Sequence, residues 1–163
     1  MSIHIVEEYD LINEIWEDRP ALPNGLVFEH EVKYSGKTRY SKLTKLRKKM
    51  EEYGCNYHFI GSLDDIAWIF NIRGNDVNFN PVVVSYALIG LDQAVLYISP
   101  DKLDDTLTAK LKEQGVTLKS YSEMMRLLHQ AHHETRISNM PCVKKISRVS
   151  PDCFEVLLKF LLS

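Results

Sequence analysis

Residues 66–87 constrain the possible fold of this chain more than any other stretch. Residues 66–72 are mostly apolar, residues 73–81 form a polar segment that contains a glycine and a proline, and residues 82–87 are again mostly apolar. Glycine and proline between apolar runs are typical of turns and loops. The stretch therefore predicts two buried elements that are joined by a polar loop.

Length, composition and charge describe one domain. The chain has 163 residues, of which 45% are hydrophobic, and this is enough to bury a core. A formal net charge of -2 gives no general attraction to nucleic acid or to a membrane. No apolar stretch approaches the roughly 18 residues that span a bilayer, and the acidic N-terminus is not typical of a signal peptide. Three cysteines without CxxC spacing indicate reduced thiols. We therefore expect one cytoplasmic domain over residues 1–163, with no nucleic-acid or membrane partner.

Apolar periodicity predicts two helices before this stretch. Residues 6–17 are predicted to form an amphipathic helix, and the proline-containing residues 18–25 a linker that completes the entry to the domain. A second helix is predicted to start at Thr38 or Ser41 and to end at Gly54. The side chains predicted to face inward from that helix are Leu43, Leu46, Met50 and Tyr53.

The middle of the chain is predicted to combine strands with one short helix. Residues 56–60 are a predicted buried strand, and Ser62 with Asp65 forms a capping pattern that opens a helix through Phe70. Residues 82–89 and 94–98 are predicted strands with turn residues between them, which is typical of a hairpin.

Helices and strands alternate after the hairpin. We predict a helix at 103–114 that is stopped by Gly115, a strand at 116–119, a helix at 122–132, a strand at 142–146 and a final helix at 150–162. This alternation predicts an α/β fold with a mixed β-sheet that is flanked by helices.

Four segments occur together, in this order, in one known family. They are Leu11–Pro20, Tyr34–Lys37 with Leu46–Met50, Ser62–Trp68, and Ile66–Ala87. In these segments the chain resembles the middle, creatinase/prolidase N-terminal-like domain of the three-domain Xaa-Pro aminopeptidases. The match is dense from Val6 to Ile98 and becomes a general α/β pattern after Asp101. Asn75 stands where the family usually has serine, and Val83 and Val84 stand where aromatic residues are common.

The resemblance implies a ribonuclease-H-like fold and a parent enzyme in the cytosol. Members of this family remove an N-terminal residue that precedes proline, and they act as homodimers. Two divalent metal ions, usually manganese, are held in a separate C-terminal domain by two Asp, one His and two Glu. Residues 101–163 do not resemble that ligand set. We therefore expect this chain to be a non-catalytic domain that is inactive alone, holds no cofactor, and partners the parent's N-terminal and catalytic domains.

The polar loop supplies the candidate site residues for binding proline-containing peptides. They are Arg73, Asn75, Asp76 and Asn80. Arg73 could pair with Asp76 and only brace the turn, or it could present its guanidinium to a peptide carboxylate or carbonyl. In the second case the domain would shape access to the parent's active site.

Other groups of residues have structural interpretations that we favour. A histidine cluster could bind metal, but a solvated helix end is the stronger explanation. Its members are His129, His132, His133 and Glu134, and Cys142 and Cys153 could complete such a site. A basic run at 37–49 is interpreted as a solvated helix surface. His58, Trp68 and Phe70 are interpreted as core residues.

A second function remains open at the level of sequence. The same fold occurs in transcription-elongation and chromatin proteins that bind peptides or histones without hydrolysing them. The chain could therefore be a peptide- or histone-binding module of a catalytically inactive homologue.

Overall fold

The computed structural model describes residue 12 and residues 15–124 of the chain. The elements that lie wholly within this part are six strands, four α-helices and one 3-10 helix, and residues 121–124 are also helical. In chain order they are β1 (Phe28–Glu29), α1 (Val32–Ser35), α2 (Arg39–Glu52), β2 (Tyr57–Ile60), α3 (Leu63–Phe70), β3 (Ile72–Arg73), β4 (Tyr86–Gly90), β5 (Ala94–Tyr97), the 3-10 helix (Pro100–Lys102), α4 (Asp105–Glu113) and β6 (Val116–Lys119).

Four of the strands form a mixed sheet in the order β2-β4-β5-β6. β2 and β5 each pair antiparallel with β4, whereas β6 pairs parallel with β5. The predicted hairpin is confirmed as β4 and β5, and its register places Leu88 opposite Val95. The predicted α/β class with a mixed sheet flanked by helices is confirmed.

The larger core lies between one face of this sheet and the helices. Alternation along β4 places its side chains in two separate apolar clusters, because neighbouring strand residues point to opposite faces of the sheet. Ala87 and Ile89 belong to the larger cluster, which includes Leu43 of α2, Phe70 of α3 and Leu111 of α4. Leu88 instead belongs to a smaller cluster on the other face; its members are Phe59, Leu88, Val95, Tyr97 and Met124.

Side-chain caps begin three of the helices. Thr38 rather than Ser41 is the N-cap of α2, since its hydroxyl accepts a hydrogen bond from the Ser41 amide at 3.2 Å. Ser62 caps α3 through the Asp65 amide, as the sequence predicts, and Asp104 caps α4. Such caps satisfy amides that have no partner within the helix.

Several predictions of burial are wrong. Tyr53 and Trp68 are exposed, although the sequence predicts that they face the core, while Arg39 and Lys42 of the basic run are buried. Leu43 and Met50 are buried as predicted. Arg39 and Lys42 are buried because they share the side of α2 that carries Leu43 and Met50, and α2 packs against α3. Tyr53 is exposed because it lies beyond the last residue of α2.

Some boundaries also differ from the predictions. β4 begins at Tyr86 rather than residue 82, and the predicted helix at 103–114 spans Asp105–Glu113, after a separate 3-10 turn. The predicted elements at 142–146 and 150–162, most of those at 6–17 and 122–132, and the histidine cluster lie outside the described residues. Within residues 12 and 15–124, no helix is long and apolar enough to cross a membrane.

Candidate functional site

The polar segment after α3 is part of a small β-ribbon rather than a simple loop. β1 and β3 pair antiparallel, with Phe28 opposite Arg73. The pairing continues on the other side of β3, where the Gly74 amide donates to the Pro81 carbonyl at 3.5 Å and the Asp76 amide donates to the Val82 carbonyl at 3.3 Å. The four predicted site residues therefore lie in one extended hairpin.

Strand alternation divides these residues between two faces of the ribbon. Gly74 and the side chain of Asp76 are buried, whereas Arg73 is half-buried and Asn75 is exposed. In β1 and the residues before it, Val27 is buried while its neighbours Leu26 and Phe28 are exposed. The outward side, which we call the ribbon face, consists of Leu26, Phe28, Arg73, Asn75 and Val77.

The ribbon ends in a strained turn. The Asn80 amide donates to the Val77 carbonyl at 3.2 Å, which closes the turn. Phe79 in this turn has a φ of 62° and a fully exposed ring. A positive φ is uncommon for a bulky residue and costs conformational energy.

Arg73 is held by backbone carbonyl groups and not by Asp76. Its Nη1 donates to the carbonyl of Ala67 at 2.7 Å and to that of Ile72 at 2.8 Å. The hypothesis that Arg73 pairs with Asp76 to brace the turn is therefore wrong. Arg73 instead lies at the carboxyl end of α3, where a cation interacts favourably with the helix dipole.

Asp76 is part of a buried ion pair that sequence reasoning misses. Its Oδ2 accepts hydrogen bonds from Lys102 Nζ at 2.5 Å and from the Val84 amide at 2.7 Å. The side chains of Asp76 and Lys102 are 0% and 3% exposed. Asp76 therefore fixes the ribbon to the 3-10 helix and cannot contact a peptide directly in this structure. No local sequence pattern connects the two residues, which are 26 positions apart.

The two asparagines among the predicted site residues have different environments. Asn80 is half-buried, and its Nδ2 donates to Asp64 Oδ1 at 3.4 Å, which connects the turn to the first turn of α3. Asn75 is exposed on the ribbon face. Of the four predicted residues, Arg73 and Asn75 are therefore the two that the structure presents on the outward side.

Two buried cations from α2 complete the carboxyl end of α3. Lys42 Nζ donates to the carbonyl of Trp68 at 2.7 Å and to Asn71 Oδ1 at 2.5 Å. Arg39 donates through Nε to the Phe70 carbonyl and through Nη2 to Glu29 Oε1 at 2.7 Å. The last carbonyl groups of a helix have no partner within the helix, so these side chains satisfy them.

Burial and neighbouring cations act together on Lys42. Burial lowers the pKa of its ammonium group from the ordinary value, and the positive charges of Arg73, Arg39 and Lys37 lower it further. Lys42 Nζ also lies 4.4 Å from the ring centroid of Trp68. The periodicity of α2 indicates which side faces α3, but the contact with Trp68 depends on tertiary packing.

The described residues offer binding groups rather than a metal centre. Among residues 12 and 15–124, no three His, Cys, Asp or Glu side chains are placed to hold a metal ion together. A dinuclear centre would need several such ligands, so the described residues do not fit that group. The ribbon face offers a guanidinium, an amide and apolar side chains, which suit peptide binding.

Comparison with known proteins points to one group of enzymes. The sequence profile described as the creatinase/prolidase N-terminal domain matches residues 18–155. A probable Xaa-Pro aminopeptidase P of Neurospora crassa is 39% identical over 136 residues, which cover 81% of this chain and 20% of that protein. One from Aspergillus fumigatus is 41% identical over 116 residues, which cover 71% of this chain and 18% of that protein.

A solved structure has a similar fold. The crystal structure of X-prolyl aminopeptidase from Caenorhabditis elegans, described as a cytosolic enzyme with a di-nuclear active site, matches 77% of this chain with a TM-score of 0.69 and 30% identity. The match covers 20% of that enzyme's chain. This chain therefore spans about a fifth of the length of the relatives that it matches.

Proposed function

The chain belongs to the creatinase/prolidase N-terminal domain family, and we propose on this basis that it acts as a non-catalytic domain of a Xaa-Pro aminopeptidase. The observation that carries the proposal is the similarity to relatives named for this activity, which extends over 81% of the chain but only 20% of the relative. The family resemblance found in the sequence is confirmed. The aminopeptidase activity of an enzyme that contains this domain is part of the proposal.

The proposed enzyme would remove the N-terminal residue from peptides that carry proline in the second position. Two divalent metal ions, with manganese as the expected species, would supply an activated water for this hydrolysis. We place them outside residues 12 and 15–124, because those residues do not fit a dinuclear centre. The chain would contribute binding surface and would not contribute catalytic residues.

The role that we propose for this domain is to shape access to the active site. Arg73 and Asn75 on the ribbon face would contact the peptide, while Asp76 and Asn80 would hold the ribbon in position. The partners would be proline-containing peptides and the N-terminal and catalytic domains of the same enzyme, acting in the cytoplasm as a homodimer. The histone-binding alternative has no observation in its favour, since the matched relatives are named as aminopeptidases.

A chimeric enzyme tests this proposal. Residues 18–124 would replace the corresponding segment of the C. elegans X-prolyl aminopeptidase, and cleavage of a Xaa-Pro tripeptide would be measured with added manganese. We expect the chimera to retain cleavage and the 163-residue chain alone to show none. The matched control carries a flexible linker in place of the segment and should be inactive.

Two outcomes would contradict the proposal. One is a chimera that is folded and binds metal but does not cleave the peptide. The other is metal-dependent turnover by the 163-residue chain that persists after contaminating peptidases have been removed.

A further inference from the structure

Two exposed aromatic residues and the half-buried Arg73 lie near the carboxyl end of α3. Phe28 is the cross-strand neighbour of Arg73 and is 50% exposed. Arg73 binds the carbonyl of Ala67, the residue that precedes Trp68, and Trp68 is 48% exposed. We call Phe28, Trp68 and Arg73 the arginine platform. It combines one guanidinium with two exposed aromatic side chains.

The charge around the platform favours an anion. Lys37, Arg39 and Arg73 lie close enough to Lys42 for their charges to act on it. Within the described residues, the carboxylate in contact with this group is Glu29, which pairs with Arg39. Arg73 and Lys42 form no ion pair with a described residue. A partner of complementary charge would therefore place a carboxylate at Arg73.

The guanidinium of Arg73 retains donors for such a partner. Its hydrogen bonds to Ala67 and Ile72 both come from Nη1, and within residues 15–124 its Nε and Nη2 donate to no group. A guanidinium can bind a carboxylate through two parallel hydrogen bonds, whereas a lysine ammonium acts as a point charge.

The contact between Lys42 and Trp68 selects the kind of group that can lie on the exposed part of the indole. The Lys42 ammonium already lies over the electron-rich ring of Trp68, with Nζ 4.4 Å from the ring centroid. A second cation on the same ring would meet this positive charge, whereas a neutral prolyl ring would not. Aromatic surfaces are also the usual partners of prolyl rings in peptide recognition.

We propose that the arginine platform is a docking site for a short peptide, with a carboxylate on Arg73 and a prolyl ring against Trp68 or Phe28. The prolyl part of this assignment rests on the proposed function, whereas the carboxylate part rests on the charges around Arg73. The site would hold the part of a peptide that lies beyond the bond to be cleaved.

Binding to the 163-residue chain tests the platform without any turnover. Three probes would be titrated while the Trp68 indole and Gly74 amide signals are followed by NMR: acetyl-Ala-Pro with a free carboxylate, its C-terminal amide, and acetyl-Ala-Ala. Acetylation removes the N-terminal amine that an aminopeptidase needs. We expect the free acid to bind about tenfold or more tightly than the amide, as for the loss of a charged hydrogen bond. We also expect it to bind more tightly than acetyl-Ala-Ala.

Variants separate binding from structural effects. Arg73→Lys keeps a cation and a donor for Ala67 but removes the paired donors, so it should weaken binding of the free acid and leave the amide unchanged. Trp68→Leu should remove the preference for proline over alanine. Lys48→Gln, a change at an exposed lysine of α2, is the matched control for charge. It should change neither the preference for the free acid over the amide nor the preference for proline over alanine.

The proposal would be overturned if the free acid and the amide bound equally, or if neither shifted these signals. Equal binding of the proline and alanine probes would overturn the prolyl part. These measurements are independent of the chimera, which reports peptide cleavage. Failure of docking and failure of the proposed function can therefore be told apart.

Discussion

Lys102 and Asp76 form a buried ion pair, with Nζ 2.5 Å from Oδ2, that joins the 3-10 helix after β5 to the ribbon after β3. This contact fixes which side of the ribbon faces the domain. Because alternate strand residues point in opposite directions, an inward Asp76 places Asn75 outward. The outward orientation of Arg73 and Asn75, which would contact a peptide, therefore depends on the buried pair of Lys102 and Asp76, which would not contact it.

Removing one member of this pair should be strongly destabilising. We expect Lys102→Met to lower the free energy of unfolding by about 3–5 kcal/mol, because it leaves the Asp76 carboxylate buried without its counter-ion. The measurement is urea denaturation followed by circular dichroism.

Two further variants test the same pair. The double variant Lys102→Met with Asp76→Asn should be more stable than Lys102→Met alone, since it removes the uncompensated charge. Lys110→Met breaks an ion pair to Glu29 in which the lysine side chain is 49% exposed, and it should cost much less. Equal losses from Lys102→Met and Lys110→Met would argue against the structural role of the buried pair.

Gly74 should not tolerate a side chain. A Cβ at this position would lie 2.6 Å from Cγ2 of Val83, which is itself buried. We expect Gly74→Ala to lower the free energy of unfolding by about 1–3 kcal/mol through overpacking. Val83→Ala should partly rescue Gly74→Ala, so that the two effects are not additive in urea denaturation.

A second glycine provides the comparison for this variant. Gly36 has a φ of 72°, and no atom lies within 4 Å of the position that a Cβ would take there, so Gly36→Ala should cost only about 1–2 kcal/mol of backbone strain. Because this cost comes from the backbone, Val83→Ala should not alter it. Rescue of both glycine variants to the same extent would contradict the proposed clash.

His58 should make the stability depend on pH. Burial lowers its pKa from the ordinary value of 6.5, an effect that the nearby Asp65 carboxylate partly opposes. The unfolded chain therefore binds a proton more readily than the folded chain. This contribution to stability is present above about pH 6.5 and is lost as the pH falls through the folded pKa.

Urea midpoints measured between about pH 8 and about pH 5 would show this dependence. The chain should lose stability towards the lower pH, and His58→Gln should reduce the slope. If the urea midpoint changed with pH equally in the unsubstituted chain and in His58→Gln, the pH dependence would come from other groups.

The chain should self-associate at high concentration. Ile15 is 82% exposed and Trp16 is nearly half exposed, and the ribbon face adds further apolar side chains. Exposed apolar patches favour association. We expect sedimentation velocity to show concentration-dependent association that Ile15→Glu reduces. Tyr53→Glu, at an exposed position beyond the end of α2, is the control. A strict monomer at every concentration would mean that these residues do not drive association.

Local signals determined most of the fold that the structure shows. The caps at Thr38 and Ser62, the hairpin of β4 and β5 and the strand β6 follow from side chains and periodicities within a few residues. Caps and turns act over one helical turn or one loop, so the sequence is sufficient to predict them. The family resemblance was also contained in these local segments.

Tertiary packing decided the arrangement of the candidate site. The sequence indicates the segment that contains Arg73 and Asn75, but one of the two roles that it leaves open for Arg73, pairing with Asp76, is wrong. Asp76 pairs instead with Lys102, which lies 26 positions away, and Lys42 binds Asn71, which lies 29 positions away. The energy of a buried cation depends on whether such distant groups surround it. Hence the sequence determined the polar segment and its neighbouring helices, and only the packed structure decided that this segment pairs with β1 in a ribbon and which of its side chains face outward.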